Sequence, residues 1–151
     1  MAWFDLKMMR FHLEVWVAAR TLPFDIYRRS LAEVLQWLQH SRASSYPGLS
    51  IEYVVACVRR SVRRPLVMRD RRCLREGLLA YRFLRAAGYA PNLHFGIDRS
   101  TLSGASLTAH CWVVCDGKIV LNSPGADMVQ ILIWPDAAAE LPSGLSEARF
   151  D

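Results

Sequence analysis

A cysteine and a histidine, Cys73 and His110, stand where a thiol and an imidazole can do nucleophilic chemistry. Cys73 follows a run of charged residues and opens an apolar stretch that ends at Gly88, and Asp70 is the candidate N-cap. This spacing predicts a helix whose first turn carries the thiol, where unpaired backbone N–H groups and the helix dipole favour a thiolate. Cys73 is therefore a candidate nucleophile.

His110 is the candidate base, because it begins a β-rich segment that follows the Cys73 helix in the chain. A thiol needs a base to take its proton, and a helix packed on a sheet can bring the two side chains together. The other histidines have weaker claims. They are His12 within a predicted helix, His40 near a helix C-terminus, both interpreted as structural, and His94 on a strand between apolar residues.

The group that would orient the imidazole depends on the hairpin that follows His110. If Asp116-Gly117 form a two-residue type I′ turn, Ser123 lies opposite His110. If Cys115-Asp116-Gly117 form a three-residue loop with a bulge, Asn122 lies opposite His110 and its side chain can accept the imidazole N–H. Asn122 also fits an ordinary turn role, so the residues alone leave its function open.

Strand alternation separates His110 from the cysteine beside it. Side chains two residues apart share a face, so Cys111 and Cys115 point away from His110 and are predicted core residues. The four cysteines have no C-x-x-C spacing, and a zinc site built from His110, Cys111, Cys115 and Cys73 is disfavoured. We expect neither a metal nor a cofactor.

The hydrophobic period changes from helical to alternating near residue 90, which predicts an α+β fold. Thr21-Leu22-Pro23 is expected to end the first helix and start the second, and a third helix is expected from Ser50 to Pro65. Strands are predicted at 92–97, 108–115, 118–121 and 129–134. The nucleophile-bearing helix would then pack on an antiparallel sheet.

The chain of 151 residues is long enough for a single domain with its own core. We divide it into a helical part, 1–64, a catalytic core, 65–134, and a tail, 135–151. No apolar run is long enough to span a membrane, and the charged N-terminal stretch is typical of an amphipathic helix, not of a signal peptide. The cysteine pattern favours a reducing cytoplasm.

Arginines give the chain an uneven net charge of +5. Eight of them stand at positions 59, 60, 63, 64, 69, 71, 72 and 75. The cluster fits a solvated helix face, a nucleic-acid patch or a surface for an acidic peptide or partner, and it would also stabilise a thiolate. Because no recognition motif or interleaved aromatic residue accompanies the charge, we expect neither nucleic acid nor a membrane as partner.

The chain resembles the transglutaminase-like leader peptidases of lasso-peptide biosynthesis over roughly residues 73–122. The resemblance rests on Cys73-Leu74 opening a Leu-rich helix with Tyr81-Arg82, and then on His110-Cys111-Trp112-Val113 and Asp116-Gly117. The family has His-Ala-Trp-Val at the histidine and usually an aspartate twelve residues later. This chain has Asn122 in the place of that aspartate.

The resemblance implies a transglutaminase-like, papain-like cysteine-protease core from a bacterium, with Cys73 as nucleophile and His110 as general base. Asn122, or Asp116 as a substitute, would orient the imidazole. The enzyme would cut the leader from a ribosomally made precursor, together with a small leader-binding protein and an ATP-dependent cyclase. The same Cys-His pair also fits an acyltransferase, and the missing aspartate fits a non-catalytic binding module.

Overall fold

Four α-helices precede five β-strands in the part of the chain that the computed structural model describes, residues 2–41, 43–63, 71–104, 106–135 and 149–150. The helices are α1 (Ala2–Arg28), α2 (Leu31–Gln39), α3 (Ile51–Val62) and α4 (Arg72–Ala86). The strands are β1 (Asn92–Asp98), β2 (Thr108–Cys115), β3 (Lys118–Leu121), β4 (Met128–Trp134) and β5 (Arg149–Phe150). A short 3₁₀ helix, Arg99–Thr101, follows β1.

The strands form one sheet in the order β3-β2-β1-β4, and neighbours along this path are antiparallel. β5 pairs in parallel with the start of β2, so the end of the described chain returns to the sheet. The four predicted strands occur within one residue of their expected bounds. The prediction of an α+β fold with an antiparallel sheet is confirmed.

The prediction that Thr21-Leu22-Pro23 divides the first helix is wrong. α1 continues through Pro23 and runs for 27 residues. Pro23 is buried, and the free energy gained by burying its ring offsets the cost of the helix hydrogen bond that a proline cannot donate. The next helix starts at a capping box instead. The Ser30 side chain accepts from the Glu33 N–H, and the Glu33 carboxylate accepts from the Ser30 N–H at 2.7 Å.

α1 presents apolar side chains on two sides. One side packs into the core through Phe11, Val15, Ala18 and Leu22. Seven large apolar residues, here called the apolar stripe of α1, are more than one-third exposed: Leu6, Met9, Leu13, Trp16, Val17, Phe24 and Tyr27. Among the described residues, no helix has the length and apolar character needed to cross a membrane.

The boundaries of α3 and α4 follow the predicted capping signals in part. Ser50 caps α3 by accepting from the Tyr53 N–H at 3.2 Å, and Gly88 follows α4 with a φ of 97°, as expected for a residue after a helix C-terminus. The predicted end of α3 at Pro65 and the predicted N-cap Asp70 lie outside the described residues. The predicted boundary between the helical part and the catalytic core, at residues 64 and 65, also lies there and stays a prediction. Arg71 takes the N-cap position of α4, so Cys73 is the second helical residue, not the third.

α4 is the central helix of the fold. Twelve of its 15 residues are buried, since it packs on the sheet and is flanked by the other three helices. Gly77 lies one turn after Cys73 and allows a close approach to β2. A β carbon at Gly77 would lie 2.6 Å from Cys111 Sγ and 3.3 Å from a methyl of Leu93. The glycine therefore sets how closely the nucleophile end of α4 approaches the sheet.

We expect Gly77→Ala to lower the free energy of unfolding by about 2 kcal/mol, because the added methyl overlaps the Cys111 sulfur. The overlap outweighs the gain in helix propensity, which is about 1 kcal/mol. Urea denaturation measures the change. Adding Cys111→Ala to Gly77→Ala should recover much of the lost stability, because it removes the sulfur. If the double variant loses the sum of the stabilities that the two single variants lose, the methyl at position 77 does not overlap the Cys111 sulfur.

Candidate active site

Cys73 lies in the first turn of α4 with only 4% of its surface exposed. Arg71, the N-cap residue, makes no side-chain hydrogen bond to the helix, so the first-turn N–H groups are not capped by it. These N–H groups and the positive end of the helix dipole favour negative charge beside the thiol. The position suits a thiolate nucleophile, and that role of Cys73 stays a prediction.

His110 lies on β2, and its ring is held by aromatic neighbours on the same face of the sheet. It stacks on Trp112 with ring centroids 6.3 Å apart and an interplanar angle of 22°. Trp112 in turn contacts the ring of His94 on β1, at a centroid distance of 5.6 Å. This row of rings restricts rotation of the His110 imidazole.

Asn122 connects the two candidate catalytic residues. Its backbone carbonyl oxygen lies 3.0 Å from His110 Nε2, and its side-chain Nδ2 donates to the backbone carbonyl of Cys73 at 3.1 Å. A single residue therefore contacts both the start of α4 and the candidate base. The structure brings together the three residues that the sequence singles out.

The contact with Asn122 determines which nitrogen of the His110 ring carries a proton. A carbonyl oxygen only accepts hydrogen bonds, so Nε2 must donate to it. In the neutral ring the lone pair then lies on Nδ1, which is the atom that can accept a proton from a thiol. The Asn122 carbonyl thus fixes the tautomer and the orientation of the imidazole, as the third member of a catalytic triad does.

This arrangement corrects the predicted role of the Asn122 side chain. The imidazole N–H is accepted by the backbone carbonyl of Asn122, whereas the side-chain amide donates to Cys73. The side chain of an ionised aspartate at this position has no N–H to donate to the Cys73 carbonyl. The asparagine therefore has a role of its own, which is to join the end of β3 to the start of α4.

The hairpin between β2 and β3 closes with a two-residue turn. Cys115 pairs with Lys118, and the turn residues Asp116 and Gly117 have φ values of 51° and 74°. Both values are typical of a type I′ turn, so the alternative with a three-residue loop is wrong.

A bulge further along β3 and a left-handed residue bring Asn122 to the site. The pairing with β2 skips Val120, which is the extra residue between Ile119 and Leu121. The strand then ends, and Asn122 takes a φ of 55°. Asparagine tolerates this left-handed conformation better than most residues. Asn122 therefore reaches His110 by a turn of the chain and not by cross-strand pairing.

Asp116 does not orient His110. It lies in the exposed turn at the far end of β2, six residues from His110. At the rise of an extended strand this separation is about 20 Å, far beyond hydrogen-bond reach. Of the two alternatives for the orienting group, the one in which Asp116 replaces the aspartate of the family is therefore wrong.

We expect Asn122→Gly and Asn122→Ala to differ in stability, because only glycine adopts the left-handed conformation freely. Both variants lose the side-chain bond to Cys73, at a cost of about 1 kcal/mol. The alanine variant should lose about 1 kcal/mol more from the strained backbone. Urea denaturation measures both. Equal stability of the two variants would contradict the left-handed turn at this position.

The other three cysteines are buried, as Cys73 is, but they do not lie in the first turn of a helix. Burial raises the pKa of Cys57, Cys111 and Cys115, and the nearby Cys73 contributes further to the rise at Cys111. They therefore stay protonated near neutral pH and are poor nucleophiles. The predicted core positions of Cys111 and Cys115 are confirmed. Within the described residues, no group of three or more His, Cys, Asp or Glu side chains is arranged to hold a metal ion.

The remaining histidines have partners outside the candidate site. His12 Nε2 contacts the Tyr53 hydroxyl at 2.7 Å, and His40, at the C-terminus of α2, contacts the carbonyl of residue 36 at 2.7 Å. These contacts fit the predicted structural roles. His94 contacts the side chain of Gln130 on β4 at 2.6 Å, a partner that is distant in sequence.

The arginine cluster does not form one solvated face. Arg75 is only 3% exposed, and burial lowers the pKa of its guanidinium while Glu76 opposes the change. Arg72 is exposed and forms an ion pair with Glu76 at 2.9 Å. Positions 64 and 69 lie outside the described residues. Three further members are exposed along α3: Arg59, Arg60 and Arg63.

Most of the chain matches one known protein family. Residues 18–132 match the family described as the transglutaminase-like superfamily, and the matched region runs from α1 into β4 and contains Cys73, His110 and Asn122. Neither the curated proteins nor the solved structures give a match. Since the family match covers most of the chain, and the fold places a cysteine-bearing helix on an antiparallel sheet, the chain belongs to the transglutaminase-like superfamily.

Proposed function

We propose that the protein is a cysteine peptidase that removes the leader from a ribosomally made lasso-peptide precursor. The observation that carries the proposal is the contact of Asn122 with both Cys73 and His110, at 3.1 Å and 3.0 Å. Membership of the transglutaminase-like superfamily supports covalent thiol chemistry. The resemblance over residues 73–122 supports a leader peptide as substrate.

In the proposed reaction, His110 Nδ1 takes the thiol proton of Cys73 and the sulfur attacks the scissile carbonyl. First-turn N–H groups of α4 stabilise the oxyanion. The imidazolium then gives its proton to the leaving amine, which is the new N-terminus of the core peptide, and the leader remains bound to Cys73 as a thioester. Water, deprotonated by His110, attacks the thioester and releases the leader as a carboxylate.

The proposal includes two protein partners in a bacterial cytoplasm. A small leader-binding protein would deliver the precursor, and an ATP-dependent cyclase would join the freed amine to a carboxylate. The apolar stripe of α1 supports the first of these associations, because apolar side chains exposed together on a monomer are typical of a protein-binding surface.

The masses of the products test the reaction type. The full chain is incubated with the precursor encoded beside its gene and with the leader-binding protein, and the mixture is examined by mass spectrometry. We expect two fragments whose masses sum to the precursor plus one water. A product that joins the leader to an amine would show an acyltransferase instead. An unchanged precursor would overturn the peptidase and favour a binding module.

A further inference from the structure

A groove of about 800 Å³ runs between α3 and β3. Its apolar lining includes Val55 from the helix and Ile119 from the strand. Its basic lining consists of Arg59, Arg60, Arg63 and Lys118. The groove thus combines apolar surface with cationic side chains. It lies at the edge of the sheet where β3 is the last strand of the antiparallel path.

The charge of the groove is unbalanced. Among the described residues that line it, four side chains are cationic and one, that of Glu52, is a carboxylate. In the described part of the chain, the ion pairs are Arg10 with Glu14 and Arg72 with Glu76, and neither involves a groove cation. The groove therefore favours a ligand with negative charge.

β3 also offers backbone groups to the groove. Lys118 pairs with Cys115 across the type I′ turn, so these two residues form the hydrogen-bonded pair that closes the hairpin. The next pair, Ile119 with Val114, is then non-hydrogen-bonded, and the N–H and C=O of Ile119 point away from β2. Ile119 is 50% exposed. This edge suits the addition of an extended peptide strand.

The groove and the candidate active site are connected through β3, which lines the groove at residues 118–120 and ends one residue before Asn122. β3 leads from Ile119 to Asn122, which contacts Cys73 and His110. Three residues of extended chain span about 10 Å, so a peptide strand lying along β3 reaches the site within a few residues. A segment bound in the groove would therefore lie close in sequence to the bond that is cut.

We propose that the groove binds an acidic, extended segment of the substrate peptide by strand addition to β3. The inference rests on the proposed function, since it assigns the substrate of that same site. It makes Arg59, Arg60, Arg63 and Lys118 specificity-determining residues, and it predicts that acidic residues near the scissile bond favour cleavage.

Fluorescence anisotropy tests the charge recognition. The probe is a short fluorescein-labelled peptide of alternating Glu and Val, titrated into the full chain carrying Cys73→Ala. We expect Arg59→Glu with Lys118→Glu to weaken binding about tenfold or more, because two attractive charges become repulsive. Arg28→Glu with Arg99→Glu is the matched control, since both residues are exposed and neither lines the groove. This control should bind nearly as well as the parent.

A second pair of variants tests strand addition. Ile119→Pro removes an N–H that faces away from β2, whereas Ile119→Thr keeps it along with the β-branched shape. We expect the proline variant to lose about tenfold in affinity and the threonine variant to lose little. Circular dichroism checks the fold of each variant. If Ile119→Pro does not fold, the charge-reversal pair still tests the proposal, because it changes only exposed side chains.

Three results would overturn the groove proposal: peptide binding unchanged by charge reversal, equal binding by folded Ile119→Pro and Ile119→Thr, or tighter binding of single-stranded DNA than of the acidic peptide. None of these measurements needs turnover, so they are separate from the test of the proposed function. If Cys73 is inert while the groove binds the acidic peptide, the peptidase proposal alone is wrong. If Cys73 is reactive while the groove binds no peptide, the groove proposal alone is wrong.

Discussion

Cys73→Ala is expected to lower the rate of precursor cleavage by about 10⁴-fold or more, because no acyl-enzyme can form without the sulfur. Single-turnover assays with the leader-binding protein present, read by mass spectrometry, measure the loss. The unaltered chain should also show a transient species with the leader attached through Cys73. Cys111→Ala is the matched control, since it removes a buried thiol near Cys73 without touching the proposed chemistry.

Thiol labelling gives an independent readout of the same prediction. Iodoacetamide at mildly acidic pH should modify Cys73 first, because the raised pKa values of Cys57, Cys111 and Cys115 leave almost no thiolate at those positions. The modified residue is identified by peptide mapping. Cleavage by the Cys73→Ala chain at the normal rate, or labelling of Cys73 no faster than of the other three cysteines, would rule out the proposed nucleophile.

Local signals explain why much of the fold could be predicted from the sequence. Alternating apolar residues and the Asp116-Gly117 turn define β2 and β3, and their predicted bounds coincide with the observed ones. Two signals mark the ends of α4: a polar run precedes Cys73, and Gly88 follows the apolar stretch. Each of these signals lies within a few residues of the feature that it predicts.

Features that depend on packing could not be predicted in the same way. Pro23 normally interrupts a helix, but here it is buried within α1, and the real boundary is the capping box at Ser30. The bulge at Val120 has no local sequence signal, because Val120 fits a regular strand equally well. Tertiary contacts decide whether a bulge forms at such a position. The bulge at Val120 also shifts the end of β3 and so helps to place Asn122 beside His110.

The sequence names candidate members of the site, whose catalytic roles stay predictions, but it does not indicate their contacts. Cys73, His110 and Asn122 come together, yet the group that orients the imidazole is a backbone carbonyl, which every residue has. Side-chain identity at position 122 therefore matters for the bond to Cys73 and for the left-handed turn. A pattern search for a Cys-His-Asp triad looks for a side chain in this role and has no means of finding a carbonyl.

His110→Ala is expected to lower the rate of cleavage by about 10³-fold, since general-base catalysis by a positioned imidazole contributes an effect of this order. The same single-turnover assay measures it. Added imidazole should restore part of the lost rate, because a small base can enter the space left by the missing ring. A merely structural role for His110 would not produce this rescue.

His94→Ala is the matched control for His110→Ala, since His94 lies on the same face of the sheet and also contacts Trp112. Its ring contacts Gln130 and not Asn122, so the proposed reaction does not use it. We expect this variant to cleave the precursor within a few-fold of the normal rate and to show no response to imidazole. Equal losses in the two variants would mean that the row of rings supports the sheet and that His110 is not the base.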